Sequence, residues 1–287
     1  MSCRGCGASV AFSGQLSTSE CAFCGAAVHR EDAHQSPERL KVDAVLPFQV
    51  TQVAAAAALK DWVAGRWFAP GEFKRRGVNG RFNGVFVPYW TYDAMTFCRF
   101  SGKRGDVYYE TVGSGKERRT VARTRWSRVS GAFDRFFDDV AIVATQSFDR
   151  ELLDQLEPWP IETALPFDSA LVAGKQAMTY DVDLRQGFDE AQRRIHGELE
   201  REVRRRIGGD KQQIDALDVK YSALTYKHTL FPVWMLAYRY QEKSYQVMVN
   251  AVTCEVQGER PWSAWKIFLA VVPIVLVVVL YFLRQGP

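Results

Sequence analysis

Four cysteines within the first 24 residues carry the clearest chemistry in the sequence. Cys3-Arg4-Gly5-Cys6-Gly7 and Cys21-Ala22-Phe23-Cys24-Gly25 are two C-x-x-C pairs, with fourteen residues between Cys6 and Cys21. Each pair can present two thiolates to one edge of a metal ion. The glycine after each second cysteine permits a positive φ, which lets backbone N–H groups point at the sulfurs. Four thiolates close a tetrahedral shell with no position left for water. The spacing therefore predicts a structural Zn2+ held by Cys3, Cys6, Cys21 and Cys24, in a zinc ribbon spanning 1–27. Disulfides would need an oxidising compartment, and a redox C-x-x-C would have to open a helix. His29 and His34 read as surface residues beside a complete ligand set, and Cys98 and Cys254 as buried thiols in strands.

The second chemical feature is charge. The chain of 287 residues carries a formal charge of only +4, yet between Lys74 and Arg128 thirteen Lys/Arg stand against four Asp/Glu. The densest part, Lys116, Arg118, Arg119, Arg123, Arg125 and Arg128, has Trp126 among it and is the candidate surface for an anionic partner. Such a surface suits nucleic acid, where cations neutralise phosphates and an aromatic stacks. It equally suits anionic headgroups or an acidic protein, or it is a solvated strand face alternating through Arg119, Val121, Arg123 and Arg125. No catalytic constellation accompanies it. His196 and His228 have no nucleophile in a recognisable pattern, and Asp138-Asp139 could hold a cation but, as a single carboxylate pair, reads more readily as a turn or helix cap. Gly113-Ser114-Gly115-Lys116 lacks the phosphate-loop frame because Glu117 follows the lysine. The chain is thus read as no enzyme.

The elements expected to carry these residues form an antiparallel α+β body over 45–262, behind a polar linker at 28–44. An internal repeat (45–160 and 161–262) is suggested by Leu46-Pro47-Phe48 recurring as Leu165-Pro166-Phe167, and Pro88-Tyr89-Trp90 as Pro232-Val233-Trp234. Thr51 can cap a helix that runs through Leu59 and Val63 to Gly65. Asp183 with Gln186 makes a capping box for a second helix, along which Phe188, Ala191, Ile195, Leu199, Val203 and Ile207 recur at helical spacing until Gly208-Gly209. Phe86, Trp90, Tyr92, Cys98 and Phe100 share the parity of a strand ending in a turn at Ser101–Asp106. A final hairpin turns around Glu242. From Ala264 the chain is apolar to Leu283, with Trp262, Trp265 and Tyr281 at its ends. The expectation is one C-terminal transmembrane helix at 264–284, a tail anchor placing the N-terminal body in the cytoplasm at the inner membrane.

The motifs resemble a known group. The paired C-x-x-C-G units are similar to the TFIIB-type zinc ribbon. Leu46-Pro47-Phe48, Trp67-Phe68-Ala69-Pro70, Arg123-Thr124-Arg125-Trp126, Phe137-Asp138-Asp139-Val140, Pro232-Val233-Trp234, Tyr238-Arg239-Tyr240 and Val249-Asn250 resemble bacterial membrane-anchored zinc-ribbon proteins, often mislabelled primosomal-helicase-like. The chain departs from the group at Asn250-Ala251, where Asn-Gly is common. The resemblance implies partners of the phage-shock and SPFH type. It also implies a non-enzymatic, membrane-anchored adaptor binding proteins at the cytoplasmic face. The alternative is a membrane-tethered nucleic-acid-binding or regulatory protein using the ribbon and Arg118–Arg128.

Overall fold

The computed structural model describes residues 40–65, 82–113, 118–240, 243–259, 272, 273 and 284, together with 18–20 and 27–29; the last two stretches, 237–240 and 243–245 are described as backbone alone. The strands in chain order are β1 (Thr18–Glu20), β2 (Ala27–His29), β3 (Ala44–Val45), β4 (Asn83–Val112), β5 (Arg119–Val143), β6 (Leu165–Pro166), β7 (Gln176–Ala177), β8 (Lys211–Tyr240), β9 (Lys243–Asn250) and β10 (Val256–Gly258). The helices are α1 (Gln52–Ala64), α2 (Arg150–Asp154), α3 (Ser169–Val172) and α4 (Leu184–Ile207). β1 and β2 form their own antiparallel ladder, Thr18 opposite His29 and Glu20 opposite Ala27. The other eight strands make one sheet, ordered β10-β9-β8-β3-β6, with β4 pairing β5, β7 and β8.

That sheet is mixed, which corrects the expectation of an antiparallel α+β body. β3 runs parallel to β8 (Ala44 opposite Thr229) and β7 parallel to β4 (Val85 opposite Gln176). Parallel pairs need a long connection, and most of the chain lies between β3 and its partner. The hairpin expected around Glu242 is present: β8 and β9 pair antiparallel from Val233–Asn250 to Tyr240–Lys243.

The chain divides into two compact units, each discontinuous in sequence. The first takes 1–89, 143–181 and 228–287; the second takes 90–142 and 182–227. Both therefore draw on both halves of the suggested repeat. In the first unit, α1 starts at Thr51, whose Oγ1 accepts from Ala54 N at 3.2 Å, and it ends at Gly65. Ala55, Leu59 and Val63 pack into a core with Trp234, Leu236, Val247 and Val249. Phe48 meets Phe86 and Trp234 edge-on, at centroid distances of 5.1 and 5.0 Å. Trp234 Nε1 donates to Val50 O at 2.7 Å. Members of two recurring tripeptides thus meet in one core, whereas Phe167, the counterpart of Phe48, is 42% exposed.

In the second unit, α4 is capped as the sequence predicts: the Asp183 side chain accepts from Gln186 N, Gln186 returns to the Asp183 backbone, and Gly208 at φ 66° ends the helix. Its stripe of Ala191, Ile195, Leu199, Val203 and Ile207 is buried. Against it pack Ala94, Cys98 and Phe100 of β4, Phe133 and Phe137 of β5, and Leu217 and Val219 of β8. Phe188 is only half-buried, and Gly187 takes the buried position. Polar contacts step in opposite directions along β4 and β5: Asp93 with Asp139, Thr96 with Arg135, Glu110 with Arg123. This is the pattern of an antiparallel hairpin.

The turn expected at Ser101–Asp106 does not exist, because β4 runs straight through it. A Cβ on Gly102 would strike the Gln213 carbonyl oxygen, and one on Gly105 would come within 2.9 Å of the Trp126 ring. These glycines mark close approach of neighbouring strands, the other reason for glycine in a sheet.

Among the described residues no helix is long and apolar enough to cross a membrane. α4 has 24 residues and spans roughly 36 Å, but its outer face carries Arg193, Glu198, Arg201 and Arg205. α1 is apolar in composition, yet at 13 residues it is too short. This finding corrects the expectations of a single-pass anchor, a membrane partner and an inner-membrane location. Of the apolar run 264–284, all but Val272, Pro273 and Arg284 lies outside the described residues.

Candidate functional site

Two groupings of chemistry-bearing side chains stand in the second unit. The first joins Asp93 of β4 to Asp138 and Asp139 of β5, with carboxylate oxygens within 4.8 Å of one another. Asp93 Oδ1 accepts from Asp139 N at 2.9 Å, and Asp139 adopts φ 50°, bending the strand so that both acids point to one place. Lys227 of β8 lies among them, with Nζ 3.2 Å from Asp139 Oδ1 and 3.9 Å from Asp93 Oδ2. Thr225 Oγ1 donates to Asp93 Oδ2 at 2.8 Å. Local desolvation, then the charges of Asp139 and Asp93, push the exposed Asp138 carboxyl above its usual range. The hydrogen bond to Asp139 and the surrounding carboxylates hold the Lys227 ammonium above its ordinary value against its own desolvation. Three carboxylates would suit a hard cation, but Lys227 already supplies the positive charge. The cluster therefore ties β4, β5 and β8 together.

Asp138-Asp139 was visible in the sequence as an acidic pair. Asp93, Thr225 and Lys227 were not, because only strand register brings them there.

The second grouping is the basic strand. Arg118, Arg119, Arg123, Arg125 and Arg128 are all exposed. Between Arg118 and Phe133 there is no acidic residue. Arg123 Nε meets Glu110 at 2.6 Å, and Arg125 lies 5.4 Å over the Tyr108 ring, so these two share the face that carries Glu110 and Tyr108. Thr124 and Trp126 lie on the opposite face, over Gly105. Arg118, Arg119 and Arg128 make no ion pair with a described residue. Aromatic rings are exposed nearby: Tyr109 at 74%, Trp126 at 46%. Arg119, Val121, Arg123 and Arg125 fall on one face of β5 by strand parity, with Val121 half-buried between exposed arginines.

What the sequence did not reveal is how this strand is paired. Among the described residues β5 pairs only with β4. α4 packs on one face of its far half, where Arg206 lies over Phe133 and Arg135 pairs with Glu198 at 3.6 Å; Arg194 also donates to Ala141 O at 3.0 Å. Over 118–131 no described helix group makes an ion pair or hydrogen bond.

The remaining sequence candidates do not assemble. Cys3, Cys6, Cys21, Cys24, His34 and Lys116 lie outside the described residues, as do Ser114 and Gly115. Among the described residues no cysteine–histidine group has ligand spacing, and the group that has it is all carboxylate. The zinc-ribbon expectation therefore lies outside the described residues; β1 and β2, which flank Cys21 and Cys24, are described as backbone alone. Cys98 is buried and its thiol is pushed up by that burial, so it is not a poised nucleophile. His196 is half-buried beside Glu200, and buried His228 contacts Lys41 O through Nδ1.

No family model and no solved structure matches the chain. A curated protein similar to it is "Uncharacterized protein YdjG" of Bacillus subtilis (strain 168), 22% identical over 246 residues, which cover 85% of this chain and 70% of that protein. That likeness carries neither an activity nor a phage-shock or SPFH partner.

Proposed function

We propose that the protein is a non-enzymatic adaptor that binds protein partners through the basic half of β5. The observation that carries this reading is the run of four exposed arginines on a strand that pairs only with β4 among the described residues, with exposed Arg118 just before it, uninterrupted by acid and accompanied by exposed Tyr109 and Trp126. Clustered cations with aromatic anchors favour an acidic protein surface by complementarity of charge. Surface cations need water or a counter-charge, and only Arg123 among these five meets a described carboxylate. The test is affinity capture with the full chain and an Arg123→Glu/Arg125→Glu variant in nuclease-treated extract. Proteins retained by the wild type and lost by the variant are the expected outcome. Identical retention by both forms would remove the reading.

A second reading, nucleic-acid binding, is favoured by the same exposed Trp126 and Tyr109, whose rings could stack bases between arginines. Salt-sensitive retention of nucleic acid, lost on nuclease treatment together with the captured proteins, would select it. A structural Zn2+ on Cys3, Cys6, Cys21 and Cys24 belongs to the proposal on the strength of the two C-x-x-C spacings. Elemental analysis of reduced protein, with Cys21→Ser/Cys24→Ser as control, tests it; equal metal in both would remove it.

A further inference from the structure

We propose that β5 receives its partner by strand addition: an extended peptide, alternating acidic and apolar residues, pairs with the free edge between Arg119 and Gly131. This rests on the adaptor reading and makes it specific.

Three observations converge. First, where the arginines are, the edge pairs with no strand other than β4 among the described residues. Near the other end of the strand Ala141 O is already taken by Arg194 of α4. In the basic half, every second residue offers N–H and C=O groups away from β4, and an added strand can accept and donate to them. Secondly, the two faces differ in chemistry. Arg123 and Arg125 lie on the face of Glu110 and Tyr108, and Thr124 and Trp126 lie on the face of Gly105. A strand laid beside this edge meets arginine on one face and Thr124 and Trp126 on the other, so its own side chains should alternate between carboxylate and apolar. Thirdly, the charge excludes the usual alternative. A second copy presenting the same edge would set one row of arginines against another, and like charges directly opposite are destabilising. Arginines are also a common guard against edge pairing. A guard, however, would not be accompanied by Tyr109 at 74% exposure and Trp126 at 46%.

The experiment uses the full chain and a blocked eight-residue peptide of alternating Glu and Val, which spans roughly 26 Å when extended. The controls are its Lys-Val counterpart and a single-stranded oligothymidylate. Binding is followed by fluorescence anisotropy, and amide hydrogen exchange is read residue by residue over β4 and β5. The variants are Arg119→Glu/Arg125→Glu and, separately, Val121→Pro and Ala122→Pro. Successive N–H groups of an edge strand alternate between inner partner and outside, so one of these prolines leaves the β4 ladder intact. Unchanged exchange in β4 identifies which.

We expect the Glu-Val peptide to bind, slowing exchange at alternate amides of 119–131. Affinity should fall at least about tenfold in the charge variant and in the ladder-preserving proline variant. Peptide binding that depends on the arginines but ignores that proline and slows no edge amide would overturn strand addition while leaving the basic surface as a docking site. Binding of the oligothymidylate with none of the peptide would overturn both readings in favour of nucleic acid. Binding of neither, or self-association of the free chain through this edge, would overturn strand addition by an acidic peptide.

Discussion

Substituting Gly187 by alanine separates two physical effects of opposite sign. Gly187 lies in the first turn of α4, where helix propensity alone favours alanine by up to about 1 kcal/mol. The surroundings argue the reverse. A Cβ at this position would stand 2.5 Å from Tyr92 Oη and 2.8 Å from Trp90 Cδ1. Neither neighbour can yield cheaply. Tyr92 Oη donates to Leu184 O at 2.7 Å, and Trp90 Nε1 donates to Val182 O at 2.9 Å, so both rings are pinned at the helix entrance. Burial also pushes the Tyr92 hydroxyl far above its ordinary value, as expected of a neutral donor held in the interior. Overpacking costs about 1–3 kcal/mol, and breaking the Tyr92 bond adds about 1 kcal/mol more. After subtracting the propensity gain, Gly187→Ala should destabilise the protein by about 1–3 kcal/mol.

Gly197 is the internal control. It lies in the same helix, but a Cβ there meets nothing within 4 Å, so Gly197→Ala should stabilise by about 0.5–1 kcal/mol. Urea unfolding followed by tryptophan fluorescence, with slopes compared between variants, reads both. If Gly187→Ala raises the midpoint as Gly197→Ala does, close packing of α4 on Trp90 and Tyr92 is wrong.

Two further outcomes follow from single side chains. Asn250 is fully buried, donates to Leu156 O at 2.9 Å and accepts from Val252 N and Thr253 N at 2.8 and 3.0 Å. Asn250→Ala should cost about 1–3 kcal/mol for each buried group it strands; an unchanged thermal midpoint would show that water replaces the amide. Asp138 is held above the usual carboxylate range, so the folded state binds its proton more tightly than the unfolded chain does. That stability is complete at acid pH and is lost as the pH rises through the raised value. Asp138→Asn should therefore unfold at higher denaturant than wild type at neutral pH, and the advantage should vanish below about pH 4. An advantage that grows on acidification would refute the sign.

The helices were legible because their signals are local. Thr51 and the Asp183–Gln186 box each satisfy backbone N–H groups a few residues away, and the stripe from Ala191 to Ile207 needs only the helical period. The strands were legible in parity but not in extent. Gly102 and Gly105 carry the same local signal whether the chain turns or a neighbouring strand passes close by, and only the position of Gln213 and Trp126 decides between them. The mixed character of the sheet was hidden for a similar reason. β3 and β7 are two residues each, too short to show any period, and they owe their direction to the strands they lie beside.

The same distinction governs the candidate site. Five arginines in eleven residues can be counted in the sequence, as can their alternation with Val121. Whether such a row is an ordinary solvated face or a place where another chain adds depends on the backbone beside it. A central strand has spent its N–H and C=O groups on two neighbours, so its arginines can offer charge alone. An edge strand offers charge together with a ladder of directional hydrogen bonds, and the ladder fixes which residues of a partner face which. For β5 that second component exists over 119–131, where among the described residues no strand but β4 pairs with it, whereas Ala141 O near the end of the strand is already taken by Arg194. Specificity for an alternating acidic segment therefore comes from that ladder acting together with the arginines. A change that capped the ladder over the basic half would abolish binding without altering one arginine.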